Sequence, residues 1–143
     1  MPTALDPNTP WEYQLLEDRD YANDEDRKKR KNGTVNPGNT IFELGFLTHK
    51  ADADITNALV EASRDSDAIS YRSGTQTMKI LTHGVRGWRN FNDKDGNAVE
   101  WKSAGGRPPK MQEACIDYLT PKQRTELANA IVRGSDVEEE EQD

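Results

Sequence analysis

Apolar and polar residues alternate first at Trp11, Tyr13 and Leu15, with Glu12 and Gln14 between them. That is the period of a strand with one buried face. A second alternation runs from Thr40 to Leu47. Phe42, Leu44 and Phe46 share one face, and Ile41, Glu43 and Leu47 share the other. The two runs predict an antiparallel pair. A bare two-stranded sheet is marginal in water, so helices must cover it.

Helical spacing appears next. Asp52 is placed to cap a helix through about Arg64, with Ile55, Leu59 and Ala62 on one face. Met78, Leu81, Val85 and Trp88 fall at i, i+3, i+7 and i+10, which predicts a helix from about Thr75 to Trp88. Gly84 and Gly87 sit late in it, where glycine loosens or ends a helix. The stretch GVRGWRNFNDKDGNAVEW, 84–101, is the structural centre of the chain. Asp95-Gly96, flanked by Phe91, Val99 and Trp101, is a hairpin signal. Phe42, Leu44, Trp88 and Trp101 are expected to form the core.

SAGGRPPK then reads as a glycine-proline connector, and Met111, Cys115 and Tyr118 suggest a short helix. Thr120-Pro121-Lys122-Gln123 is the clearest local signal. Threonine caps, proline takes the first helical position and glutamine closes a capping box. Leu127, Ala130 and Ile131 supply the apolar face, and Gly134 is placed as a C-terminal stop. The fold class is therefore α+β: a small antiparallel sheet and a hairpin covered by three or four helices. Residues 1–10, with their turn-forming Asp-Pro-Asn, read as a flexible arm, residues 11–135 as one domain, and 136–143 as a disordered acidic tail.

Between the first two strands lies a polar excursion, residues 17–39, broken by Gly33, Pro37 and Gly38. It reads as a long loop, and such loops in small domains are functional or disordered. Its acids Asp18, Asp20, Asp24 and Asp26 precede five consecutive bases, Arg27, Lys28, Lys29, Arg30 and Lys31. These bases are candidates for contact with phosphates or with an acidic protein surface. Tyr21 is the one aromatic nearby, which gives base stacking little support. Trp11, just after the arm, is a candidate anchor for an adjacent contact.

The 143 residues suffice for one modest core, at 33% apolar and 31% charged. Net charge is −7, but Asp136 to Asp143 hold six acids and no base, so the body stands near −1. The single cysteine, Cys115, excludes an internal disulfide and any multi-cysteine metal site. It reads as a structural thiol among apolar positions. Two histidines, His49 and His83, cannot complete a tetrahedral site without carboxylates. Asp93, Asp95 and Asn97 around Gly96 resemble a calcium loop until the spacing is checked: the first ligand position would be Phe91 and the twelfth Lys102. Arg86, Arg89 and Arg107 are candidates for an anion site near the hairpin. No catalytic or nucleotide-binding motif is present, and no cofactor is expected. No apolar run reaches membrane-spanning length, and the first residues lack signal-peptide features, so a soluble intracellular protein is expected.

Four blocks come in a characteristic order: LDPNTPWEYQLLEDRD at 5–20, TIFELGFLT at 40–48, GVRGWRNFNDKDGNAVEW at 84–101 and YLTPKQRTELANAIV at 118–132. Together they cover about half the chain. They resemble small proteins encoded in the structural modules of tailed bacteriophages, labelled tail assembly chaperones or minor virion proteins. The basic run at 27–31 and the GGRPPK segment depart from that pattern. The resemblance implies a non-enzymatic morphogenesis protein that binds another phage structural protein, in the host cytoplasm or in the virion. It is also compatible with a homo-oligomer. The alternatives are a stable virion component, such as a head–tail connector, tail or capsid accessory protein, and a nucleic-acid-binding regulator using the basic run.

Overall fold

The computed structural model describes residues 9–48, 50, 51, 53, 55 and 68–141, with backbone alone at 68–74 and 135–141. The fold is α+β. Strands β1 (Trp11–Tyr13), β2 (Ile41–Leu44) and β3 (Val85–Arg89) form an antiparallel sheet in the order β1-β2-β3. Trp11 pairs with Leu44 and Tyr13 with Phe42; Phe42 in turn pairs with Trp88. Both predicted strands are thus present and antiparallel, although the first stops at Tyr13.

The third strand corrects the sequence reading. Helix α2 (Ala68–Gly84), which follows a short α1 (Asp24–Lys29), ends at Gly84, and Val85 to Arg89 is extended instead of helical. Val85 and Trp88 satisfy a helical period, but Val85 and Gly87 also alternate as a buried strand face. The free edge of β2 decides between them. It offers unpaired backbone groups that β3 satisfies, beginning with Gly45 N–H donating to Gly84 O at 2.8 Å. Met78, assigned to the buried face, is instead exposed, while Ile80 and Leu81 are buried.

Beyond β3 the chain turns where Asp95-Gly96 predicts. Gly96 has φ +84°, Gly96 N–H donates to Asp93 O at 3.0 Å, and Asn92 bridges Ala98. The return segment is tied back by two indoles. Trp88 Nε1 donates to Val99 O at 2.8 Å, and Trp101 Nε1 donates to Val85 O at 3.2 Å. Both tryptophans are therefore half-buried flanks of the core, with their polar ends satisfied, and not its centre. Trp88 meets Phe42 and Phe91 edge-on at 6.1 and 5.1 Å. Phe42 and Leu44 lie at the centre as expected, with Leu15, Leu81, Val85, Met111, Leu127 and Ile131.

The expected connector is a second hairpin, β4 (Ser103–Gly105) with β5 (Lys110–Met111). Gly105, which ends β4, and Gly106, which opens the turn, have φ of +92° and +99°. Met111 thus belongs to a strand. A 3₁₀ turn, Glu113–Tyr118, follows and buries Cys115 and Ile116, leaving Tyr118 exposed.

Helix α3 (Pro121–Glu141) opens as read. Gln123 N–H donates to Thr120 Oγ1 at 3.2 Å, and Thr120 N–H donates to Gln123 Oε1 at 2.9 Å. Gly134 does not stop it; backbone helix continues to Glu141. That glycine serves close approach instead, because a Cβ there would overlap Trp11 Cζ2 and Cη2. Helical backbone is also present at Lys50, Ala51, Ala53 and Ile55. Thr48 Oγ1 accepts from Ala51 N–H at 3.2 Å, so the capping contact lies upstream of the expected Asp52. Asp52, Leu59, Ala62 and Arg64 lie outside the described residues, as do residues 1–8 of the arm.

Gly134 generates a prediction with an unusual sign. In an open helix interior, glycine to alanine stabilises by about 0.5–1 kcal/mol. Overpacking against an indole costs about 1–3 kcal/mol. Gly134→Ala is expected to destabilise by about 1 kcal/mol, and urea unfolding of the two proteins measures it. A more stable variant would mean that Trp11 does not pack there.

Candidate functional site: a pinned charged excursion and the groove beside it

The excursion between β1 and β2 is built, not loose. A 3₁₀ turn, Leu16–Asp18, leads out of β1. Asp20 and Thr34 then exchange backbone hydrogen bonds of 2.9 and 2.8 Å, closing the base of an arm. Within the arm is helix α1, Asp24–Lys29, where the sequence suggested loop. Asn23 caps it by accepting from Asp26 N–H at 2.8 Å. Acids fill its first turn and bases its last, the order that suits the helix dipole. Asn-Asp-Glu-Asp followed by Arg-Lys-Lys was therefore the legible signal of a helix.

Gln14 pins the far end. Its side chain is 1% exposed. Its Nε2 donates to Asn36 O at 2.8 Å and to Thr40 O at 3.4 Å, and its Oε1 accepts from Asn36 N–H at 2.8 Å. Tyr21 OH donates to Leu16 O, Asn39 Nδ2 to Asp18 O, and Asn90 Nδ2 to Pro37 O. No residue of α1 is buried. The excursion is thus held firmly while α1 adds nothing to the core.

The five bases are all exposed. Lys29 pairs with Glu25 at 2.8 Å, and the Arg27 guanidinium lies 5.6 Å from the Tyr21 ring centre. Arg30 ends α1 in the left-handed region at φ 53°. The other non-glycine residues with positive φ are Asn32 and Asn90 among those described, a type that tolerates it. Arginine does not favour it.

Arg30 also borders a groove of about 680 Å³ between the excursion and α3, whose walls include Tyr13, Leu16, Lys122, Glu126 and Arg133. Glu126 Oε2 accepts from Tyr13 OH at 2.8 Å and from Leu16 N–H at 2.9 Å. The carboxylate thereby fastens the end of β1 to α3. Burial, then the hydrogen bond to Glu126 and its charge, hold the Tyr13 hydroxyl well above its ordinary pKa, so it stays a donor. Arg30, Lys122 and Arg133 are exposed. Burial, then Glu17 and Glu126, also raise the Asp18 carboxyl.

Trp11 is not at this groove. It packs on Phe46, with ring centres 4.8 Å apart, and on the backbone of Gly134, so its indole serves the fold. The three arginines near the hairpin separate. Arg89 pairs with Glu12 at 2.9 Å. Arg86 is half-buried, which lowers its pKa, and donates to His83 O and Phe46 O. Arg86 and His83 share a pocket of about 110 Å³ with Lys50, Arg107 and Lys110. The calcium-like carboxylate of Asp93 accepts from Asp95 and Asn97 N–H and is consumed by its turn. Cys115 is buried. Among the described residues no group of three or more His, Cys, Asp or Glu side chains is placed to hold a metal, and no helix is long and apolar enough to cross a membrane.

Comparison with family models, with curated proteins and with solved structures finds no match to this chain.

The groove yields two expectations. Left-handed backbone costs a non-glycine residue roughly 1–2 kcal/mol, and glycine gives back part of that in chain entropy. Arg30→Gly should therefore stabilise the protein by about 0.5–1 kcal/mol; an unchanged or lower denaturation midpoint would contradict the left-handed cap. Asp18 titrates above its unfolded value, so the folded state binds its proton more tightly and ionisation opposes folding. That penalty is absent below the unfolded pKa and complete above the folded one. Asp18→Asn should raise the melting temperature at pH 7 and leave it little changed at pH 3.

Proposed function

We propose that this chain is a non-enzymatic morphogenesis protein of a tailed bacteriophage, and that it docks on another structural protein of the particle through the exposed strip of α1. One observation carries the docking reading. A helix with no buried residue is fixed in place by a buried glutamine amide and an arm of backbone bonds. Burying an amide without partners costs roughly 1–3 kcal/mol, so these bonds matter for order as well as position. Rigid display of a charged surface with no role in the core supports a recognition element. The four sequence blocks at 5–20, 40–48, 84–101 and 118–132 supply the phage setting.

The strip has acids at one end and bases at the other. Such a pattern sets register and speeds encounter more than it adds affinity. A protein surface is favoured over nucleic acid because the one aromatic ring beside the bases, Tyr21, already lies under Arg27 and bonds Leu16 O.

Replacing Arg27, Lys28, Lys29, Arg30 and Lys31 together with serine tests the proposal. The circular dichroism spectrum and cooperative unfolding should be retained, because exposed charges support no core. Phage yield, or the amount of this protein in particles, should fall. Normal titre and normal virion composition would refute the assignment. Steeply salt-dependent DNA binding lost in the same variant would favour the nucleic-acid alternative. Mass spectrometry of purified virions tells a transient assembly factor from a resident component.

A further inference from the structure

The groove beside α3 is distinct from the outward strip of α1, and its charge is unbalanced. Arg30, Lys122 and Arg133 border it. None of the three makes an ion pair among the described residues. The acid in the groove, Glu126, already accepts two hydrogen bonds. The chain's largest store of acids is Asp136 to Asp143, with six and no base. Five of those acids, Asp136 and Glu138 to Glu141, belong to the same helix that walls the groove, since the backbone of α3 is continuous from Pro121 to Glu141. A continuous helix cannot turn back on its own wall. At 1.5 Å per residue its end projects about 12 Å beyond Arg133. The acidic end is therefore carried away from the groove of its own chain.

We infer that the groove receives the acidic end of α3 from a second copy of this chain. One copy contributes the basic rim, the other the acidic end, so the contact is head-to-tail and each associated copy keeps one free groove or one free end. Exposed ion pairs are individually weak and screened by salt, so association is reversible and strongest at low ionic strength. The inference shares Arg30 with the proposed docking strip but leaves Arg27, Lys28, Lys29 and Lys31 uninvolved, so Lys122 and Arg133 are the rim residues that test it separately.

Sedimentation of the full chain over a range of concentrations, at low and at high salt, tests it with two variants. K122E/R133E reverses the rim and keeps the acidic end. E138Q/E139Q/E140Q/E141Q removes four of the end's six acids and keeps the rim. Wild type should associate at low salt and dissociate at high salt, and each variant alone should associate at least tenfold more weakly. Mixed, the two should form a one-to-one dimer that grows no further, because only one productive pairing remains. If the reversed rim prevents folding, K122Q/R133Q replaces it. A wild-type chain that stays monomeric at low salt would overturn the inference, even if a separate peptide of residues 134–143 bound the groove. So would variants that associate like wild type, or a mixture that stays monomeric. Phage incorporation of K122E/R133E, with the α1 strip intact, separates failure here from failure of the docking proposal.

Discussion

The side-chain amide of Gln14 sits at the junction on which the exposed half of this protein depends. It follows β1 directly, is almost wholly enclosed, and bonds to backbone at Asn36 and Thr40, just ahead of β2. A primary amide has two donors and a carbonyl acceptor. Here both ends of it are engaged. The residues between are thereby closed into a loop whose ends are fixed twice, by β1–β2 pairing and by the amide. Loop closure depends only weakly on length, about 0.6 kcal/mol per doubling. A long excursion is thus tolerated once its ends are held, and a short helix can form within it although six residues would not stay helical in water.

Sequence reading succeeded where one local rule acted alone. The Thr120–Gln123 capping box, the Asp-Gly turn and the alternations of β1 and β2 each had a single physical interpretation. It failed where two periods fitted the same residues. Met78, Leu81, Val85 and Trp88 are helically spaced, yet the last two lie in β3 because backbone pairing with β2 outweighs a weak helical preference beside two glycines. Gly134 shows the same limit. A glycine late in a helix usually marks its end. Here it marks the approach of Trp11, an indole more than a hundred residues earlier in the chain, which no local pattern reveals.

The site was legible in composition but not in form. The five bases were visible as a run; that they close a capped helix was readable from the preceding Asn-Asp-Glu-Asp, yet polarity made the segment look like loop. The groove was not legible at all. It exists because Glu126, one turn into an otherwise ordinary helix, reaches the Tyr13 hydroxyl and the Leu16 amide. Residues 110 and more apart in sequence meet there, and no spacing rule connects them.

The use of Trp11 inside the fold constrains how the surface can recognise anything. Interfaces of high affinity centre on desolvated aromatic or arginine anchors. The tryptophan expected to serve that way packs on Phe46 and Gly134, and Trp88 and Trp101 tie the return segment to β3. What α1 and the groove present is charge on well-positioned backbone. Charge of this kind governs encounter rate and register, responds to salt, and gives little affinity for each contact. Recognition through it gains strength by repetition along an array of partners, where linked weak contacts reinforce one another. Reversible, register-setting contacts of that sort are the physical basis on which the proposed role in assembly rests.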